Sequence, residues 1–173
     1  MLEATQPLIG GNAIVTVAPQ RSLVSIGAFK HSAAALQALR GLPATPTRNT
    51  ADGITYLWSG PGAWLAFSDD PDLEVRLRAR MNDLAAITDQ SDGRVILRIA
   101  AAQARATLAK LVPIDLHPDV FTPHATALTL AGHISVQLWQ ADDGAFELAC
   151  FRSFAADLYA ALVAALPVEH QDP

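Results

Sequence analysis

The chain has 173 residues, of which 51% are apolar and only 17% are charged, and its net charge is -5. The acidic balance argues against a nucleic acid as partner, because a surface that binds phosphates needs an excess of basic side chains. The length suffices for one domain or two small subdomains, and so apolar a chain of this size is expected to cover part of its surface with a partner.

The first half alternates between strand-like and helix-like segments. Residues 1–20 lack a clear period, although AIVTVA (13–18) is compatible with a short strand. The segments that follow are predicted to be a strand (22–29), a helix stopped by Gly41 (31–42), a polar loop (43–53), a hairpin around Ser-Gly-Pro-Gly (54–67) and a helix from Asp70-Pro71 to about Leu84. The last helix should bury Leu73, Leu77, Met81 and Leu84, while Arg76, Arg78 and Arg80, among acidic neighbours, read as a solvated face.

The second half repeats this order. Its predicted elements are a strand (93–100), a helix with Ala104, Leu108 and Leu111 on one face (101–112), a loop rich in proline, a hairpin around Ala131-Gly132 (124–140), a strand after the Asp142-Asp143-Gly144 turn (144–150) and a helix capped by Ser153 (153–166).

The repeated order predicts a duplicated fold. Each half reads as a β-α-β-β-α unit with mostly antiparallel sheet, so the fold class is α+β. The hairpins can be aligned so that two Leu-Trp pairs, at 57–58 and 138–139, coincide. We expect an N-terminal segment (1–20) and two subdomains (21–90 and 91–173) that form one domain, in which one half can lend strands to the sheet of the other.

The final helix is apolar nearly all round. Over residues 153–166 only Ser153 and Asp157 are polar, which predicts a helix buried on most sides and covered by a partner. On this interpretation, changing Leu158 and Leu162 to Asp should dissociate a complex without unfolding the chain.

KLVPIDLHPDVF (110–121) contains the most prominent polar pattern. Asp115, His117 and Asp119 alternate and would share one side of an extended chain, where they could bind a metal or act as acid and base. His124 and His133 are the only nearby histidines, and neither has a partner at helical spacing. Aspartate and proline also favour turns, so a simple connector between helix and strand is the alternative interpretation.

Other residues capable of chemistry show no known catalytic or cofactor motif. Cys150 is the only cysteine, which excludes an intrachain disulfide, and its apolar setting indicates a small buried hydrophobe. Gly-Pro-Gly (60–62) is expected to form a hairpin turn rather than a phosphate loop, and the tryptophans, Trp58, Trp64 and Trp139, to pack in the core. We therefore assign no catalytic, cofactor-binding or metal-binding residue. The chain start carries Glu3 and no early Lys or Arg, unlike a secretory signal, and we expect a cytoplasmic protein that neither spans nor binds a membrane.

Two longer stretches resemble a known family. DGRVILRIAAAQARATLAKLVPIDLHPDVF and FELACFRSFAADLYAAL strongly resemble the gamma subunit of heterotetrameric sarcosine oxidase, and LWSGPGAWLAF is similar to a strand pair of that subunit. The likeness covers about residues 20 to 166. It implies a fold related to the folate-binding domains of aminomethyltransferases and membership in a complex that oxidises sarcosine to glycine.

The resemblance also implies how work is divided in that complex. In the family, FAD, FMN, NAD and tetrahydrofolate belong to larger flavoprotein subunits and zinc to a small subunit, whereas the gamma subunit has no cofactor of its own. Aminomethyltransferases carry an acidic hairpin, G-x-I-x-D-D-L, where this chain reads GHISVQL. Val136 and Gln137 therefore stand at the acidic positions, and neither can act as a carboxylate toward folate.

Three functions follow from these observations. The first is a non-catalytic small subunit of a heterotetrameric sarcosine oxidase, which supports oxidative demethylation by the flavin-bearing subunits; the chain is then part of an oxidoreductase without being an enzyme by itself. The second is a stand-alone folate-binding protein of the aminomethyltransferase-like group. The third is a small-molecule or metal-binding module that uses Asp115, His117 and Asp119.

Overall fold

Residues 14–167 are described by a computed structural model, and their secondary structure follows the predicted order with additions. Gly10 and Gly11 lie outside the described residues. The strands are β1 (Val15–Val17), β2 (Ser22–Ala28), β3 (Arg48–Ala51), β4 (Ile54–Gly60), β5 (Ala63–Ser68), β6 (Ala85–Asp89), β7 (Arg94–Ile99), β8 (Thr126–Ala131), β9 (Ile134–Gln140) and β10 (Phe146–Phe151). The helices are α1 (Ala33–Arg40), α2 (Leu73–Met81), α3 (Ala101–Leu108) and α4 (Ala155–Ala164).

The strands form two antiparallel five-stranded sheets, which confirms the α+β class. The first sheet has the order β3-β4-β5-β2-β6 and the second the order β8-β9-β10-β7-β1. The two orders correspond position by position, with β6 and β1 at equivalent edges. Because β1 comes from the start of the described chain and pairs with β7, an N-terminal strand completes the sheet of the second half.

Three apolar layers hold the sheets and helices together. One packs α1 and α2 on the first sheet through Leu36, Leu73, Leu77 and Met81, and a second packs α3 and α4 on the other sheet through Ala104, Leu108, Leu158 and Leu162. The third lies between the sheets and contains Leu57, Leu65, Phe67, Ile96 and Trp139. The molecule therefore has four layers, helix on sheet on sheet on helix.

The first half contains two strands that the sequence pattern missed. β3 lies in the segment predicted as a polar loop, and β6 follows the 3₁₀ turn Asn82–Leu84. Neither strand shows a regular alternation of apolar and polar residues: β3 reads Arg-Asn-Thr-Ala and β6 reads Ala-Ala-Ile-Thr-Asp. Both are edge strands that need only one hydrogen-bonded neighbour, so pairing with β4 and β2 decides their conformation rather than intrinsic pattern.

The helix boundaries also differ from the prediction at several ends. α1 stops at Gly41 as expected, because Gly41 adopts a left-handed conformation (φ 66°) and its N–H donates to the Gln37 carbonyl. α2 begins at Leu73 instead of Pro71, since the Asp70 carboxylate accepts from the Asp72 N–H in a preceding turn. Ser153 does not cap α4: it lies in a 3₁₀ turn, and the residue before the helix is Phe154.

The alignment of the two Leu-Trp pairs is wrong by one residue. Trp58 lies on the helix side of the first sheet, whereas Trp139 lies between the sheets. Counting instead from Ile54 and Ile134 places Tyr56 and Val136 on the helix side of their sheets. A slip of one residue in a strand exchanges its two faces, which is why letter identity misled here.

The outward face of α4 carries only small or polar side chains, so it does not require a partner to cover it. Ala155, Leu158 and Leu162 are fully buried against the second sheet, while Ala156, Asp157, Ala160 and Ala164 are exposed. The expectation that Leu158 and Leu162 dock a partner is therefore wrong, because both side chains belong to the chain's own core. Changing them to Asp would bury two carboxylates and unfold the chain. No helix in the described part is long and apolar enough to cross a membrane.

Tyr56 provides a test of the first core. Its side chain is fully buried, and its hydroxyl makes no hydrogen bond within residues 14–167. Because an unpaired buried hydroxyl is unfavourable, Tyr56→Phe should raise the free energy of unfolding by about 1 kcal/mol in urea titrations. The control is Trp64→Phe, which should lower it because the indole N–H donates to the Pro43 carbonyl at 2.7 Å. A loss of stability in Tyr56→Phe would show that the hydroxyl has a partner.

Candidate functional site

The Asp-x-His-x-Asp passage forms a surface loop anchored by apolar side chains. Asp115, His117 and Asp119 are exposed, and Leu116 and Phe121 between and beside them are buried in the second core. Arg105 of α3 donates to the carbonyl oxygens of Leu116 and Phe121, which fixes the loop against the helix.

Two of the three polar side chains of this loop, those of Asp115 and His117, accept hydrogen bonds within local turns. The Asp115 carboxylate accepts the His117 N–H at 2.8 Å, and His117 Nδ1 accepts the Asp119 N–H at 3.3 Å. Within residues 14–167 no group of three or more His, Cys, Asp or Glu side chains is placed to hold a metal ion. The geometry favours the connector interpretation, because such Asx-type bonds are what turns require.

Cys150 is buried among apolar side chains of the second core. Burial raises the pKa of its thiol to about 11, although the nearby Arg94 guanidinium acts in the opposite direction. The thiol therefore stays protonated at neutral pH, and a protonated buried thiol is a poor nucleophile.

Gln137 and Val136, which replace the acidic pair of the aminomethyltransferase hairpin, are both buried. Val136 packs in the helix-side core of the second sheet. The Gln137 amide nitrogen donates to the Trp58 carbonyl at 3.0 Å and to the Thr126 hydroxyl at 2.6 Å, and its oxygen accepts from the Ser59 hydroxyl at 2.8 Å. The amide thus joins the two sheets, with its donors and its acceptor in use inside the protein.

A buried carboxylate on β10 is the main ionic feature that sequence reasoning missed. Glu147 is only 1% exposed, and its two oxygens accept from Arg21 at 3.0 Å and Arg98 at 3.1 Å. Arg21 also lies over the Phe67 ring, 5.2 Å from its centroid. The available signal was a charged residue in an otherwise apolar strand, FELACF, because such a residue is rarely buried without a partner.

A cleft of about 290 Å³ opens beside this ion pair. Besides Arg21 and Arg98, the cleft is lined by Arg48, which pairs with Asp142. The hydrogen bond from Arg48 lowers the pKa of the Asp142 carboxylate. Arg98 pairs with Asp143 as well as with Glu147. Each guanidinium that lines the cleft already has a carboxylate partner, and these ion pairs link β2, β3 and the β9–β10 turn. We call this set the ionic clamp; it consists of Arg21, Arg48, Arg98, Asp142, Asp143 and Glu147.

Two pairs of exposed apolar side chains lie close together in the chain, one on an edge strand and one at a turn. On β8, Leu128 is 52% and Leu130 47% exposed, and both lie on the same side of the strand. Around the 3₁₀ turn Arg152–Phe154, Phe151 is 46% and Phe154 43% exposed. Such pairs are candidates for contact with another protein where they form part of a larger apolar patch.

Comparison with known proteins gives a consistent result. The profile of the sarcosine oxidase, gamma subunit family matches residues 25–166. The heterotetrameric sarcosine oxidase from Corynebacterium sp. U-96, solved with pyrrole 2-carboxylate, contains a similar chain, with 25% identity, a TM-score of 0.77 and coverage of 87% of this chain and 82% of that chain. Curated protein sequences give no significant match.

More distant structures share only a loose outline. Aspartate kinase from Synechocystis is 13% identical over 93% of this chain and 29% of that chain, with a TM-score of 0.45. The regulatory subunit of aspartate kinase from Thermus thermophilus is 10% identical over 87% of this chain and 96% of that chain, with a TM-score of 0.41. At these scores neither bears on function.

Removing the buried carboxylate should weaken the fold sharply. Glu147→Gln leaves two guanidinium groups beside an uncharged amide, and breaking a buried pair costs about 3–5 kcal/mol. We expect a loss of about 3 kcal/mol in the free energy of unfolding, measured by urea titration. The control is Glu74→Gln, whose partner Arg78 is one helical turn away on the surface, where a pair contributes less than about 1 kcal/mol. Equal small losses in both variants would contradict the structural role of Glu147.

Because burial raises the pKa of the Cys150 thiol, we expect the free energy of unfolding to decrease at high pH. In the unfolded chain the thiol ionises near its ordinary pKa of 9.0, and in the folded chain only near 11, so between these values the unfolded state holds fewer protons. Stability must therefore fall as pH rises through this window, by about 3 kcal/mol for a two-unit difference. Unfolding titrations from pH 8 to 11 should show this decline in the wild type in excess of that in Cys150→Ala. Parallel profiles would mean that the thiol ionises equally in both states.

Proposed function

The chain belongs to the sarcosine oxidase, gamma subunit family, and from this membership we propose that it is the small, non-catalytic subunit of a heterotetrameric sarcosine oxidase. Its partners are then larger flavoprotein subunits and a small zinc-binding subunit, in the cytoplasm. FAD, FMN, NAD, tetrahydrofolate and zinc belong to those partners, which carry out the oxidative demethylation of sarcosine to glycine.

The observation that carries this proposal is the family match together with the internal use of polar groups. The carboxylates and arginines of the cleft pair with one another, the Gln137 amide joins the sheets, and Cys150 is buried in the core. A chain whose reactive side chains serve its own fold is suited to a scaffolding role. The stand-alone folate binder has no such support, because both positions of the acidic pair are buried.

We propose the same duplicated organisation that the sequence predicts, with an N-terminal segment (1–20) and units at 21–90 and 91–173. It is supported by the matching strand orders of the two sheets and by the helices on both outer faces. The pairing of β1 with β7 ties the N-terminal segment to the second unit.

The edge strand β8 is the docking surface that the fold offers most directly. Leu128 and Leu130 project from the exposed side of a strand at the end of its sheet. The Thr126 N–H at the start of this edge donates to the Pro46 carbonyl. Beyond it, an edge strand offers backbone donors and acceptors on one side, so a partner can add main-chain hydrogen bonds to apolar contacts. In the proposed complex this strand meets a large subunit.

Affinity purification from the host organism tests the proposal. The tagged chain should bring down two larger chains and one small chain in stoichiometric amounts, identified by mass spectrometry. The double variant Leu128→Asp/Leu130→Asp should reduce this recovery about tenfold, because it places charge in an apolar contact. The control is Val75→Asp on α2, which is 65% exposed and should leave recovery unchanged.

The outcomes separate two claims. Recovery of the wild-type chain alone would contradict the subunit assignment. Normal recovery of the β8 variant, with thermal unfolding unchanged, would contradict only the role of the edge strand.

A further inference from the structure

A second cleft, of about 420 Å³, opens at one end of the layer between the sheets. Its lining includes the apolar residues Ala18, Leu23 and Ile96 of the layer between the sheets, together with the polar residues Ser91, Arg94 and Arg152. The cleft is distinct from the ionic clamp around Glu147, although Arg21 reaches both.

Arg94, at the start of β7, carries a charge that nothing in the described chain neutralises. Its side chain is partly buried, and its Nε is buried without a hydrogen-bond partner among residues 14–167. The guanidinium stacks on the Phe151 ring, 4.5 Å from the centroid, and forms no ion pair with a described carboxylate. Burial lowers the pKa of Arg94, which reflects the poor solvation of the cation.

Arg94 differs from the other arginines whose side chains the structure describes, because each of those donates to a carboxylate or to a backbone carbonyl. The carboxylate-paired arginines are Arg21, Arg48, Arg76, Arg78, Arg80 and Arg98, and the carbonyl-bound ones are Arg105 and Arg152. A partly buried cation without a counterion is unfavourable, and an anion that pairs with Arg94 would remove this cost.

The surroundings of Arg94 indicate what kind of anion fits. Arg152 donates through Nε to the Asp92 carbonyl at 2.6 Å and has no carboxylate partner within the described ranges. Phe151 and Phe154 flank Arg152 in the chain and keep nearly half of their surfaces exposed. Arginine and aromatic side chains together are typical of the central contacts of protein interfaces. A small inorganic anion would neutralise the charge and leave both rings in water.

We propose that Arg94, Phe151, Arg152 and Phe154 form a docking patch for an acidic segment of a partner subunit. A carboxylate of that segment pairs with the Arg94 guanidinium, and its neighbouring apolar side chains cover Phe151 and Phe154. The patch is basic on a chain of net charge -5, so it selects an acidic partner where the rest of the surface would repel one. The inference rests on the proposed subunit function and adds a defined contact to it.

The test uses the full chain co-expressed with tagged partner subunits. Wild-type chain and Arg94→Met compete for the complex, and their incorporation is measured by mass spectrometry at low and high salt. Arg94→Met should be incorporated about tenfold less at low salt, with the difference shrinking as salt rises. Arg94→Lys should fall between them, because lysine keeps the charge but loses the planar, bidentate geometry.

Matched controls separate docking from folding. Arg80→Met removes a guanidinium that pairs with Asp52 and should compete like the wild type. Arg94→Met should unfold at or above the wild-type temperature, since it removes an unpaired charge from a partly buried site. If it fails to fold, Arg152→Met, at an exposed position, replaces it and should also compete poorly.

Three possible results of this experiment distinguish the docking patch from the subunit function. Equal incorporation of Arg94→Met and wild type in an assembled complex overturns the docking patch and leaves the subunit function standing. No assembly by the wild type overturns both. Binding of inorganic phosphate by the wild type and not by Arg94→Met, with equal incorporation of both, assigns the cleft to a small anion and also overturns the patch.

Discussion

The alignment of the two sheets depends on polar contacts across a layer that is otherwise apolar. Apolar side chains such as Leu57, Phe67 and Trp139 supply the attraction between the sheets, but apolar contact by itself permits sliding. Gln137 removes that freedom, because its amide bonds to the Trp58 carbonyl and the Ser59 hydroxyl of the opposite sheet. Buried hydrogen bonds have strict distances and angles, and each unmade one is costly, so a single relative position satisfies them.

The ionic clamp acts on the same interface from its border. Glu147 lies on one sheet, and Arg21, which leads into β2 of the other sheet, reaches it across the gap. At the corner where β3 and β8 begin, backbone hydrogen bonds from Arg48 to His124 and from Thr126 to Pro46 join the sheets directly. These contacts fix the two sheets relative to each other at both the centre and the border of the layer between them.

The prediction succeeded where apolar period and turn chemistry agree. The Gly41 stop, the Pro-Gly and Ala-Gly hairpins and the Leu73, Leu77 and Met81 stripe all depend on contacts within a few residues. It failed where pairing between residues far apart in the chain decides the local structure. β3 and β6 are strands because β4 and β2 lie beside them. The Leu-Trp alignment predicts the same sheet face for Trp58 and Trp139, but Trp58 lies on the helix side of its sheet and Trp139 lies between the sheets. The sequence predicts that a partner covers the apolar final helix, because it cannot show that the second sheet already covers Leu158 and Leu162.

The sequence by itself determined the class of fold, the repeated order of elements and the likeness to the gamma subunit family. These follow from local periodicity and from long matched stretches, and both depend only on the order of residues along the chain. Only the tertiary structure decided which polar residues matter. Asp115, His117 and Asp119 form an obvious pattern and make local turn bonds, whereas Arg21, Arg98 and Glu147, far apart in the chain, meet in a buried clamp. Spacing along the chain limits what can be adjacent only within a turn or a strand, and the packing of two sheets brings residues more than a hundred positions apart into contact.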